Sequence, residues 1–224
     1  MMTNLFSIFD PSTNNFFSMN WMSMILLLMY FPFMYWMMPS NFNMMMMNII
    51  KILMNEMKNI YKKKINYKNC FMMISLFMLL FLNNFLSLFP YIFPCNSHLS
   101  ISLSLSMIMW MTIMMFTILK NKKKMFIHLT PQGTPNLLMS FMVLIETISI
   151  LIRPTTLAIR LSANIISGHL LLTLISNSIN NITLFMMLII SIQSLLMILE
   201  LAISMIQSYV FSILITLYAS ETNN

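Results

Sequence analysis

Two apolar stretches, residues 137–176 and 182–219, limit what this chain can become. Each is near forty residues long. Drawn as an unbroken helix, each would measure about 60 Å at 1.5 Å per residue. The hydrocarbon core of a bilayer is only roughly 30 Å thick. Each stretch is therefore either two spans or one member of a strongly tilted helical hairpin. Neither contains a short loop of glycine and proline, which favours the tilted hairpin. Asn177, Ser178, Asn180 and Asn181 supply a turn between them.

Composition points the same way. Hydrophobic residues make up 59% of the 224 and charged residues 8%, against about 25% charged in a soluble domain. So few charges cannot cover a soluble core with polar surface, so the bilayer is the solvent. The expected fold is an all-α integral membrane protein forming one membrane domain over residues 1–224. It has about five membrane helices and one interfacial amphipathic helix, with the last two helices paired as the long hairpin.

After an N-terminal segment (1–20), residues 21–38 make a first span. Trp21 and Trp36 lie near its ends, where aromatic belts sit, and Pro32 would kink it. Residues 44–64 read differently. Asn48, Lys51, Asn55, Lys58 and Lys62 recur at spacings of three and four, with Met46, Ile49, Ile50, Leu53, Met57 and Ile60 opposite. That pattern belongs to a helix lying in the interface. Residues 70–90 and 98–119 form two further spans, with Pro90 and Pro94 marking the turn. The chain has no internal repeat and no low-complexity tail.

The net charge of +7 does not imply nucleic acid. All ten lysines fall between Lys51 and Lys68 or between Lys120 and Lys124, without the aromatic interleaving of a nucleic-acid module. The positive-inside rule explains them as loops held on one side of a membrane. The N-terminus and the turn at 90–97 then lie on the other side. The first twenty residues hold no Lys or Arg, so no targeting segment is evident, and synthesis is expected in the compartment of insertion. Thirty methionines and two glycines suit an organelle genome with skewed base composition. Cys70 and Cys95 stand at opposite ends of one apolar stretch, which argues against a disulfide and against a metal site. With two glycines and no Walker loop, no nucleotide site is expected, and no cofactor.

Outside the lysine clusters and the termini, only Glu146, Arg153, Arg160 and Glu200 are fully charged, and His169 can gain a charge. All lie in the two long stretches. A charge costs about 2.5–3.5 kcal/mol at a bilayer centre on insertion scales, so each is a functional candidate by default. Glu146, Arg153 and Arg160 are seven apart, which on a helix keeps them on one face, and Asn164 is one turn beyond Arg160. Gln193, Glu200 and Gln207 repeat that spacing on the partner stretch. Two such stripes on antiparallel helices can line a wet path. The plainer alternative is that these groups only join helix to helix. Arg153 precedes Pro154, which frees a carbonyl one turn back, and reads as structural. His98 and His128, at membrane edges, read as structural too.

Four ordered motifs carry a resemblance: PQGTPNLLM at 131–139, LIETISILI at 144–152, LAIRLSANIISGHLLL at 157–172 and IQSYVFSILITLY at 206–218. With them go the opening MTNLFSIFDPS and the LSLFPY that ends the second span. Together they closely resemble subunit a of the mitochondrial F-type ATP synthase, over nearly the whole chain and most strongly from Pro131 onward. The resemblance implies a tilted hairpin packed against a rotating ring of c subunits, with protons entering and leaving through two offset half-channels. It implies peripheral-stalk and other membrane subunits as further partners. It also implies a mitochondrial inner-membrane location, with the lysine loops in the matrix and the N-terminus in the intermembrane space.

By this resemblance Arg160 matches the family's essential arginine. Asn164, His169, Glu200 and Gln207 match polar residues of the intermembrane-space half-channel, and Glu146 matches a carboxylate near the matrix half-channel. His169 and Glu200 are expected to meet. In a symmetric hairpin they would be offset by about 13 Å, so residues 182–190 are expected to be partly spent in a connecting segment. Two rivals are weighed. A redox pump or antiporter would need paired histidines or repeated halves, which are absent from the sequence. A purely structural subunit would use the same charges as glue.

Overall fold

The computed structural model describes residues 4–13, 17–29, 37–61, 67–89, 91–120, 122, 129–130, 135–178 and 183–223. Among these the regular elements are all helical. In chain order they are α1 (Ser23–Met29), α2 (Asn41–Ile60), α3 (Tyr67–Ser87), α4 (Leu99–Lys120), α5 (Asn136–Asn177) and α6 (Thr183–Asn223), with short 3-10 turns at Leu5–Phe9, Met19–Met22 and Cys95–Ser97. Four helices among the described residues are long and apolar enough to cross a membrane: α3, α4, α5 and α6. The first expected span is helical over Ser23–Met29, and its continuation through Pro32 and Trp36 lies outside the described residues. So do His128 and Lys62.

Helix α2 begins where Ser40 caps it, the Ser40 hydroxyl accepting from the Asn43 N–H at 3.4 Å. Its apolar face carries Leu53, which packs with Ile74, Phe77 and Met78 of α3. Lys51, Asn55 and Asn59 face outward. At its end Met57 and Tyr61 are buried against Cys70 and Ala219. Burial raises the Tyr61 phenol above its ordinary value, and Cys70 adds to the shift, so the hydroxyl stays protonated. Through these contacts the start of α3 and the end of α6 share one end of the bundle. Antiparallel α4 delivers Lys120 there too, so both lysine groups mark the same end. Cys70 and Cys95 are both buried and are not joined by a disulfide.

The two long stretches are each a single helix, of 42 and 41 residues. Pro154 lies inside α5, where it withdraws an N–H from the Ile150 carbonyl. The hydroxyls of Thr155 and Thr156 bond back to the carbonyls of Ile152 and Arg153. One core joins four helices: Met73, Leu76 and Leu80 of α3, Met109 of α4, Leu157 and Leu161 of α5, and Phe211 and Ile215 of α6. Beside it, Ser208, Ser212 and Thr216 form a wholly buried stripe one turn apart on α6. Small side chains of this kind let helix backbones approach closely in a membrane.

Candidate functional site: a cavity in the hairpin

Beyond the core, toward the hairpin turn, α5 and α6 enclose a cavity of about 120 Å³, large enough for several waters. Asn164, Ser167, Gly168 and His169 line it from α5, and Glu200, Ser204 and Gln207 from α6. The amide of Asn164 donates to the Gln207 side-chain oxygen at 3.2 Å. Helix α3 closes another side with Asn84 and Ser87.

Gly168 explains how a carboxylate fits here. A Cβ at that position would stand 2.9 Å from Cδ of Glu200 and 3.0 Å from its Oε1. The glycine therefore makes the space the carboxyl group occupies. Glu200 is only 8% exposed. Its Oε1 and the Nε2 of His169 are both buried without a hydrogen-bond partner among the described residues. A carboxyl group and an imidazole lining one cavity are suited to exchanging protons with water that enters it.

The structure thus brings four expected site residues, Asn164, His169, Glu200 and Gln207, to one cavity and leaves two outside. Arg160 is exposed on α5, with no ion pair or hydrogen bond among the described residues. Glu146 is part-exposed on the same helix. Along unbroken α5, Glu146 lies 14 residues before Arg160, about 21 Å, and His169 nine residues after it, about 13 Å on the other side. Arg153 stacks over the Tyr218 ring at 5.1 Å, a cation–π contact that ties α5 to α6.

One expectation is corrected. Residues 183–190 are helical from the outset rather than spent in a connecting segment. Glu200, seventeen residues into α6, nevertheless meets Gly168, nine residues from the end of α5. The first turns of α6 therefore stand largely unopposed, with Met187 and Ile190 exposed.

Several contributors escaped the sequence reading. Asn84 and Ser87 reach the cavity from α3, and the amide of Asn96 in the α3–α4 turn donates to Asn84 at 2.8 Å. An asparagine pair inside an otherwise apolar span was the available signal. Gly168, one of only two glycines in the chain, was another. Glu56, hidden among the lysines, accepts from the Tyr209 hydroxyl at 3.0 Å and joins α2 to α6.

Fold and site together define a multi-span membrane protein with a buried acid and a part-buried histidine at one cavity and, outside it, an arginine with no ion pair or hydrogen bond among the described residues, the equipment of an ion-translocating subunit. The family model described as ATP synthase A chain matches residues 17–220. The chain is 53% identical to ATP synthase subunit a of Locusta migratoria, over 99% of both chains. It is 49% identical to ATP synthase subunit a of Drosophila melanogaster and of Anopheles gambiae, over the full length of each. The chain belongs to the ATP synthase A chain family.

Proposed function

We propose that this chain is the proton-translocating stator of the ATP synthase membrane sector, facing the c-ring in the mitochondrial inner membrane. The cavity holding His169 and Glu200 is its half-channel toward the intermembrane space. Glu146 marks the half-channel toward the matrix, at the lysine-bearing end. The observation that carries this reading is the placement of Arg160, exposed on α5 between the cavity and Glu146 and outside both.

The chemistry follows from that placement. Arginine stays charged in proteins and does not relay protons. It draws a ring carboxylate into its ionised form as the ring passes, and it blocks direct hopping between the two half-channels. A proton entering the cavity reaches the ring carboxylate by way of water, His169 and Glu200, with Asn164 and Gln207 orienting the path. After rotation the carboxylate loses its proton toward Glu146. Bond-making on nucleotides belongs to other subunits of the complex, and peripheral-stalk subunits hold this chain against the torque. A charge kept as structural glue needs a counter-charge or an acceptor, and Arg160 has neither among the described residues.

Arg160→Gln should leave the complex assembled and lower proton-driven ATP synthesis by at least about 100-fold, the scale of losing one preorganised charge. Synthesis at the parental rate in the assembled mutant would refute the assignment.

A further inference from the structure

The N-terminal segment makes a contact that the half-channel reading leaves unused. Residues Leu5–Phe9 form a 3-10 turn packed on α5. The Phe9 ring meets the His169 imidazole with centroids 6.2 Å apart and planes at 87°, a favourable edge-to-face pair. Phe9 itself does not line the cavity. The turn is anchored from the α3–α4 connection. His98, at the start of α4, has Nε2 at 3.0 Å from the Phe9 carbonyl oxygen. A carbonyl only accepts, so Nε2 carries the proton in this bond. The His98 ring is itself packed by Trp21 at 5.2 Å and Phe93 at 5.3 Å. A rigid aromatic nest thus holds the backbone of Phe9, and Phe9 holds the imidazole.

We infer that Phe9 is a positioning residue for His169, with His98 as its anchor. The inference rests on the half-channel reading above. An imidazole that passes protons must present one nitrogen to the cavity in a repeatable orientation. Phe9 packs edge-to-face on the ring and fixes its plane. A phenyl group offers no donor or acceptor, so it restrains the ring without capturing Nε2. A polar neighbour there would compete with water for that nitrogen.

The test is a double-mutant cycle in the intact complex reconstituted into phospholipid vesicles, reading ATP-driven proton pumping against pH on the cavity side. Phe9→Leu keeps apolar volume and removes the ring, which protects folding of the segment. It should lower the rate about threefold to tenfold and displace the pH profile. In a His169→Ala background, Phe9→Leu should have no further effect. Equal losses in the two backgrounds, or pumping by Phe9→Leu identical to the parent, would overturn the inference. If His169→Ala alone leaves pumping unchanged, the half-channel reading falls, and this inference with it. If His169→Ala slows pumping and Phe9→Leu does not, only the positioning role falls. His98→Gln, which keeps an N–H donor, should match the parent more closely than His98→Leu.

Discussion

Helices α3 and α6 are both apolar enough to span a bilayer, and α6 is the more apolar of the two. Yet in the most apolar 18-residue stretch of each helix, 67% of α3 is buried inside the chain and only 6% of α6. Hydropathy measures transfer out of water and does not distinguish a protein neighbour from a lipid one, since acyl tails are as apolar as leucine. Small and polar side chains make the distinction. The packed end of α6 carries Ser208, Phe211, Ser212, Ile215 and Thr216, all buried, while its first half carries Met187, Leu195 and Ile198, all largely exposed. Glu200 and Gln207 sit where the packed part meets the bare part. The site therefore lies at the border between a rigid bundle and a surface left for other molecules.

That contrast can be broken at three places. The largest effect is expected inside the packed half. Phe211 is 1% exposed in the four-helix core, and Phe211→Ala should cost about 3–5 kcal/mol. The assembled subunit recovered from membranes should fall sharply, and undiminished assembly would show that the core does not depend on this end of α6.

At the border, Gly168→Ala pushes a methyl group onto Glu200. The nearest atoms belong to the end of a flexible side chain, so the chain should still fold and assemble. The displaced carboxyl group should slow proton pumping about tenfold, the scale on which small misplacements act. A parental pumping rate would mean that the carboxyl group works equally well from another position.

The smallest effect is expected on the bare half. Met187 is 80% exposed, and Met187→Ala should change the stability of the chain itself by less than about 0.5 kcal/mol, as read by thermal melting in detergent. A large destabilisation there would show that the first turns of α6 are packed after all and would erase the contrast.

Most of the fold was legible in one dimension. The alternation of Asn and Lys with Met and Ile marked α2 as a surface helix, and the structure buries Leu53 and Met57 on the face that pattern points to. The length of the last two stretches, without a breaking loop, foretold two long helices. The site was legible where its residues are expensive. A charged group in an apolar run stands out because burying it is costly, so Glu146, Arg160, His169 and Glu200 could be named from the chain alone. Ser87 and Phe9 are cheap in a membrane helix or an N-terminal segment, and nothing local separates them from filler.

The sequence by itself determined the helices, their partition into the bilayer, the end of the bundle that carries lysine and the identity of the ionisable groups. These follow from periodicity, hydropathy and charge, which are properties of neighbours in the chain. Only the tertiary structure decided that Gly168 makes room for Glu200, that α3 closes the cavity and that a phenylalanine at position 9 restrains a histidine at position 169. Those pairings join residues far apart in sequence through van der Waals fit. In a membrane the competing lipid contact is just as apolar, so no transfer energy written along the chain could have singled them out.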